Sequence, residues 1–305
     1  MSAILHEAPF AFDRLSVRYG RTVAVSDLTL AVEPGAVYAL LGRNGAGKTS
    51  ALRCLLGEQR ATSGRALLFA ADAWHGRAAA MTRIGVVPED PDAPPEMTSA
   101  ELAVFCSRIY PRWDAGGVSR RLAAFAVPLR TPFGRLSKGQ KAQTLLALAL
   151  GHGPEALILD DPTLGLDVVA RAGFLEELVG ELADRGTTVL ITSHDLAGVE
   201  RIATRVGILK QGRLVVDEDL EALKARYRKL RYARREGGPP GAELGELAAV
   251  GVSVREWGIE AVVGNYSEAA LAKLRAAAEV VDAEATPLTL EEIFTAVVGE
   301  DGGRS

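Results

Sequence analysis

The chain has almost no cysteine. Cys54 and Cys106 are its only two in 305 residues, lie far apart and form no C-x-x-C pair. That excludes a disulfide framework and a zinc site built on paired thiolates. Long apolar runs are missing as well: no stretch of about 18 uncharged apolar residues exists, so nothing is expected to span a membrane. The first residues carry no basic segment, apolar core and cleavage site, with Glu7 and Asp13 arriving early. A cytosolic protein is therefore expected. Nor is there an excess of charge of one sign, and a net charge of −4 gives no reason to expect a nucleic-acid partner. What remains is ordinary globular composition, 48% hydrophobic and 24% charged. The length suits about two domains with a substantial core.

Glycine is present where chemistry needs it. Residues 42–49 read Gly-Arg-Asn-Gly-Ala-Gly-Lys-Thr, filling every position of the phosphate-binding pattern G-x-x-x-x-G-K-[ST]. Val37-Tyr38-Ala39-Leu40-Leu41 before it predicts a buried parallel strand, and the residues from Ser50 to Leu56 predict a helix. Gly42, Gly45 and Gly47 let the backbone, with Asn44 and Ala46 between them, turn its N–H groups onto an anion. The helix opening at Ser50 adds its positive end. Lys48 supplies a point charge for β- and γ-phosphates, and the Thr49 hydroxyl a ligand for Mg²⁺. A glycine-rich turn that binds nothing rarely has strand, loop, Lys-Thr and helix in this order. The chain reads as a nucleotide-binding protein.

Upstream, residues 11–19 alternate well enough to predict a strand at a sheet edge, and residues 24–32 a second strand. Gly20-Arg21 and Glu33-Pro34-Gly35 predict turns. Tyr19 is placed equally well to stack on an adenine ring and to pack in the sheet edge. Downstream, residues 64–70 and 84–88 predict strands, while Pro91, Pro94 and Pro95 exclude regular structure from 89–95. Thr98 and Glu101 have the T-x-x-E spacing of a capping box and open a helix to about Tyr110. Asp114 caps another, carrying Val118, Leu122, Ala123 and Ala126. Ser137-Lys138-Gly139-Gln140 forms a second capping box ahead of an apolar helix. The stretch from about 90 to 150 thus reads as a helical insertion between strands.

Ala156-Leu157-Ile158-Leu159 is a continuous apolar strand ending in Asp160-Asp161. A carboxylate at the C-terminal end of a buried parallel strand is where a phosphate-loop fold holds Mg²⁺. Residues 168–182 predict a helix stopped near Gly186, and residues 187–192 a buried strand delivering Ser193-His194-Asp195. Arrival at the same sheet edge favours a γ-phosphate contact for His194 over a surface role. Residues 206–209 and 213–216 predict a hairpin through Lys210-Gln211-Gly212. A helix from about Asp219 then leads into residues 224–232, basic with interleaved tyrosines. Acidic residues further on balance that charge, favouring a solvated helix-to-strand face over a lipid or nucleic-acid surface. Beyond a loop at 237–241, alternating helical and strand-like segments, with a helix at 268–278, predict a small α+β appendage. Residues 302–305 predict a frayed tail.

Taken together, these stretches resemble the ATP-binding subunits of ABC transporters. Tyr19 resembles the adenine-stacking aromatic, residues 42–49 the Walker A loop, residues 136–140 the signature motif and residues 156–160 the Walker B strand. Gly165-Leu166-Asp167 resembles the D-loop and His194 the switch histidine. The likeness covers roughly residues 10–220. Leu288-Thr289-Leu290-Glu291-Glu292-Ile293-Phe294 resembles the ending of ABC-2-type exporter ATPases, and Tyr110-Pro111-Arg112-Trp113-Asp114 a bacterial subgroup of them. The resemblance implies an α/β fold. It has a P-loop NTPase core at 1–220 with edge antiparallel strands and an inserted helical subdomain, and a small C-terminal α+β domain at 221–305.

It further implies ATP and Mg²⁺ bound at a head-to-tail dimer of two ATP-binding subunits, homo- or heteromeric. These would drive a separate transmembrane permease, that of an exporter, from the inner face of the cell membrane. Nucleotide would be held by Tyr19, the loop residues Gly42, Asn44, Gly45, Ala46, Gly47, Lys48 and Thr49, and Ser50. Ser137, Gly139 and Gln140 would act on the partner's ATP. Thr49, Asp160 and Glu89 would hold Mg²⁺, with Asp161, His194 and Glu89 in the catalytic group. Two positions depart from the family. Glu89 stands where glutamine is usual, and Asp161, one methylene shorter, where the catalytic glutamate is usual, which puts the hydrolysis rate in question. Two other readings are a non-transport ABC ATPase switch and a subunit that binds ATP but hydrolyses it slowly.

Overall fold

The computed structural model describes residues 8–235 and 241–299. It divides into two compact units, Met1–Asp217 and Glu218–Ser305. In the first, β1 (Phe10–Tyr19) and β2 (Thr22–Val32) form an antiparallel hairpin, and the chain then enters β3 (Val37–Gly42), whose residues are all buried. The phosphate-loop sequence leads into α1 (Lys48–Leu55). β4 (Ser63–Leu68) returns to pair with β1, followed by a short β5 (Ala71–Asp72), α2 (Arg77–Met81) and β6 (Ile84–Val87). The resulting antiparallel sheet has the order β2-β1-β4-β5.

β1 is therefore not the edge strand that its alternation predicts. It lies inside the sheet, because alternation reports one buried face and says nothing of neighbours on either side. The predicted strand at 64–70 also stops early. Phe69 and Ala70 have φ of 48° and 66° and turn the chain into β5, and the Arg83 guanidinium lies 3.5 Å over the Phe69 ring.

Between β6 and β7 the chain is helical, as its capping signals predict. Thr98 caps α3 (Ser99–Ile109) with both arms of the capping box formed, and Asp114 caps α4 (Ala115–Ala124) through the Gly117 N–H. Val118 and Leu122 are buried, but Ala123 is exposed and Ala126, at φ 51°, lies beyond the helix end. Ser137 caps α5 (Lys138–Gly151), again with both arms.

β7 (Ala156–Asp160), α6 (Val168–Arg185), β8 (Thr188–Thr192), α7 (Leu196–Glu200), β9 (Arg205–Lys210) and β10 (Arg213–Asp219) complete the unit. The second sheet has the order β10-β9-β3-β8-β7-β6. β3, β8, β7 and β6 pair in parallel, and β3 also pairs in parallel with β9. Continuous apolar strands such as Val189-Leu190-Ile191 follow from burial on both faces. Parallel pairing delivers the C-terminal ends of β3, β6, β7 and β8 to one edge, where open α/β sheets bind ligands.

The second unit has α8 (Leu220–Arg226), β11 (Arg228–Arg234), β12 (Ala249–Arg255), β13 (Gly258–Val263), α9 (Glu268–Ala276), β14 (Val280–Pro287) and α10 (Leu290–Val298). Its antiparallel sheet has the order β12-β13-β11-β14. Leu230, Tyr232 and Ile259 pack there with Leu271 and Leu274. The basic stretch is ion-paired. Arg226 meets Glu218, Lys229 meets Glu292 at 2.6 Å and Arg231 meets Glu260 at 2.8 Å, while Tyr227 and Tyr232 are buried. That arrangement matches the balanced face favoured from the charge pattern. The loop expected at 237–240 and the tail at 302–305 lie outside the described residues. Among those described, no helix is long and apolar enough to cross a membrane.

Leu190 is fully buried at the centre of the parallel sheet, so Leu190→Ala should cost about 2–5 kcal/mol. Val215→Ala, at a half-exposed position of β10, should stay within about 0.5 kcal/mol. Urea midpoints at unchanged slope measure both.

Candidate active site

The loop after β3 is shaped by contacts that only glycine permits. Gly47 has φ 105°, and a Cβ there would lie 2.3 Å from the Ala24 carbonyl oxygen. Gly47 is also the N-cap of α1 and offers no side-chain acceptor. The first N–H groups of the helix are thus left to face an anion. The buried Lys48 ammonium donates to the Gly42 carbonyl at 2.6 Å and weakly to that of Arg43 at 3.4 Å. Burial lowers its pKa, opposed by the charges of Asp160, Asp161 and Glu89.

Asp160 ends β7 directly opposite Thr192 of β8, and the Thr192 hydroxyl donates to its Oδ1. Burial raises the Asp160 pKa, the Thr192 hydrogen bond lowers it, and the neighbouring Asp161 carboxylate raises it further. Asp161 is buried, at φ 45°, a left-handed backbone that a non-glycine residue adopts at some cost. Its N–H donates to the Thr192 carbonyl at 2.9 Å. Its Oδ1 accepts from the His194 N–H at 3.2 Å and the Ser193 hydroxyl at 3.4 Å. Oδ2 has no hydrogen-bond partner among the described residues. His194 Nε2 lies 3.6 Å from it, an electrostatic neighbour too distant for a hydrogen bond.

These groups line one cavity of 390 Å³. Its walls include Asn44, Gly45, Ala46, Gly47, Lys48, Thr49, Ser50, Glu89, Asp160, Asp161 and His194. Gly42 contributes the carbonyl that holds Lys48. Ala24, Thr192 and Ser193 also line the cavity and were not singled out in the sequence. The Thr-Ser-His ending of β8 carried the signal for two of them, whereas Ala24 reaches the site from the other sheet and belongs to no motif. Tyr19 stands apart from these walls, half-exposed at the end of β1. Its hydroxyl donates to Gln59 Oε1 at 2.6 Å and lies 3.3 Å from Ser50 Oγ, which fixes the ring beside the start of α1.

Ser137, Gly139 and Gln140 are not brought to this cavity. With Leu166 and Asp167 they line a second one, of 560 Å³. Ser137 Oγ accepts from the Gln140 N–H at 3.1 Å, and the Gln140 side chain accepts from the Ser137 N–H at 3.1 Å. One chain therefore carries two separate cavities. The first has hard oxygen donors in Thr49, Asp160 and Glu89, which suit Mg²⁺.

Comparison with known proteins gives a consistent result. The family described as ABC transporter matches residues 25–164. The ABC transporter ATP-binding protein YtrB of Bacillus subtilis (strain 168) is 34% identical over 209 residues, which is 68% of this chain and 71% of that protein. The Nod factor export ATP-binding protein I of Burkholderia orbicola (strain AU 1054) is 36% identical over 227 residues, 71% of this chain and 72% of that one. A solved structure of the ATP binding subunit of an ABC transporter superposes with a TM-score of 0.64 at 26% identity. It covers 72% of this chain and 93% of its own.

The raised pKa of Asp160 means that the fold favours its protonated form. That contribution to stability is complete below the ordinary carboxylate range and is lost as pH rises through the folded value. Asp160→Asn removes the partly buried charge and should raise the melting temperature of the nucleotide-free protein at neutral pH. The advantage should shrink as pH falls towards about 4. Thermal melts of both proteins across that range check the sign.

Proposed function

The chain belongs to the ABC transporter ATP-binding proteins, and we propose on that premise that it is the ATP-hydrolysing subunit driving a separate membrane permease of an exporter. Relatives that include a Nod factor export protein and the exporter-like segment at 288–294 support export. The observation that carries the reading is the separation of the phosphate-loop cavity from the cavity at the Ser137 helix start within one chain. Two copies placed head to tail bring the Ser137 helix start of one to the nucleotide held in the loop cavity of the other. Attachment to the permease then places the protein at the inner face of the membrane. Every residue of the proposed nucleotide site precedes Asp217, so the C-terminal unit is assigned no part in binding ATP.

In this reading Lys48 exchanges its loop carbonyls for the β- and γ-phosphates, joined by the N–H groups of the loop and of α1. Tyr19 offers its ring face to the base. Thr49 and Asp160, with Glu89 nearby, would hold Mg²⁺, which would supply positive charge against the transferred phosphoryl group. Asp161 polarises the attacking water through the oxygen left free, Oδ2, and His194 contacts the γ-phosphate. Ser137, Gly139 and Gln140 address the partner's nucleotide.

Slow turnover is a second reading with its own support. Asp161 is shorter than glutamate, and Oδ1 is already engaged by Ser193 and His194, which draws the carboxylate towards the end of β8. A base must reach its proton within about 2.6–3.2 Å or through one water, and ~1 Å of misplacement costs on the order of a hundredfold.

Ultracentrifugation tests the dimer. A slowly hydrolysing Asp161→Asn protein should sediment as a dimer with Mg²⁺ and ATP, and adding Ser137→Arg should leave it monomeric. A dimer that persists despite the arginine contradicts the head-to-tail arrangement. Steady-state phosphate release tests the base. Asp161→Glu should raise kcat by about tenfold, roughly 1.4 kcal/mol of barrier, with ATP binding little changed. If instead Asp161→Glu is no faster and Glu89→Gln alone abolishes turnover, Glu89 is the base.

A further inference from the structure

The ion pair between Arg171 and Asp195 joins two segments that border different cavities. Asp195 directly follows His194 and caps α7, its Oδ1 accepting from the Gly198 N–H at 3.1 Å. Arg171 lies in the first turn of α6, its own N–H bonded to the Asp167 carbonyl at 2.9 Å. Asp167 also caps that turn, through the Ala170 N–H at 2.8 Å. The Arg171 Nε and the Asp195 Oδ2 stand 3.6 Å apart. Both atoms are buried, and neither makes a hydrogen bond among the described residues. The Arg171 side chain is otherwise partly exposed, but oppositely charged atoms just beyond bonding distance gain from closing that gap and lose from widening it.

A continuous set of contacts runs through this pair. At one end the Leu166 side chain packs so tightly on Gly139 that a Cβ there would lie 2.6 Å from its Cδ2. The turn containing Leu166 therefore has to follow the start of α5, where Ser137 sits. That turn is tied to α6 by Asp167, and α6 to Asp195 by Arg171. At the other end the Asp195 N–H donates to Ser193 Oγ at 2.9 Å, and Ser193 Oγ donates to Asp161 Oδ1 at 3.4 Å. The path begins in the cavity assigned to the partner's ATP and ends on the carboxylate assigned to this chain's own.

We propose that Arg171 and Asp195 are positioning residues that couple the two nucleotide sites. Occupation of the Ser137 site shifts the start of α5, the pair transmits the shift, and Asp161 is re-aimed. The inference rests on the head-to-tail reading, and both partners act through Ser193 and Asp161 without touching nucleotide.

The test uses full-length protein with Arg171→Met, Asp195→Asn and the double variant. Asparagine keeps the α7 cap, so Asp195→Asn removes charge alone. Each single variant should lower kcat about tenfold, the scale of a small displacement of a reacting group. The apparent KM for ATP and the ATP-dependent dimer should be unchanged, and the Hill coefficient for ATP should fall towards unity. The double variant should be no slower than either single one, and Arg171→Lys should recover part of the loss. An Asp161→Asn protein that does not dimerise with Mg²⁺ and ATP overturns the head-to-tail reading and the coupling with it. If that protein dimerises, but Arg171→Met and Asp195→Asn leave kcat and cooperativity unchanged or their losses multiply, the coupling alone is overturned.

Discussion

The site depends on the parallel pairing of β3, β8 and β7. Each strand is a short apolar run with no chemistry in its interior, and each releases its functional residues only on leaving the sheet. The register that sets Asp160 opposite Thr192 also sets Asp161 beside Ser193 and His194, and places all of them across from the phosphate loop at the end of β3. A one-residue slip would turn every side chain of the strand to the opposite face. It would remove Asp160 from the Thr192 hydroxyl and bury it in the helical layer. Burial on both faces makes such a slip costly. The apolar core thereby holds the polar edge in alignment.

What the sequence made legible was local. The phosphate loop is eight consecutive residues whose function follows from backbone geometry. The capping boxes at Thr98 and Ser137 close within one turn, so three-residue spacing sufficed to find them. The same spacing in Thr289 and Glu292 forms a complete box ahead of α10. What stayed hidden depended on partners distant in the chain. The interior place of β1 requires β4, some 50 residues later. Thr192 and Ser193 gain a role only through the register with β7, and Gln59 only through the fold that brings it to Tyr19. β5, α2 and α7 are too short to show any period.

Two unusual residues share a neighbourhood. Asp161 adopts a left-handed backbone and has its carboxylate half engaged, and Glu89 adds negative charge across the same cavity. With Asp160 they place three acidic groups around one lysine, within a chain of net charge −4. Such a concentration of acid at a phosphate site is unfavourable for an anion alone. It suits an anion that arrives as a complex with a divalent cation, which accords with the hard donors provided by Thr49 and Asp160.

The Lys48 ammonium, resting on the carbonyl of Gly42, has a thermodynamic consequence. Its bonds to an incoming phosphate replace contacts already made, so the affinity gained is a difference between two sets of partners and smaller than either set alone. In return the loop keeps its curvature between turnovers, and the entropy of ordering it is lost once, at folding, and not again with each nucleotide. Release benefits equally, since the departing product leaves behind a cation that has somewhere to go.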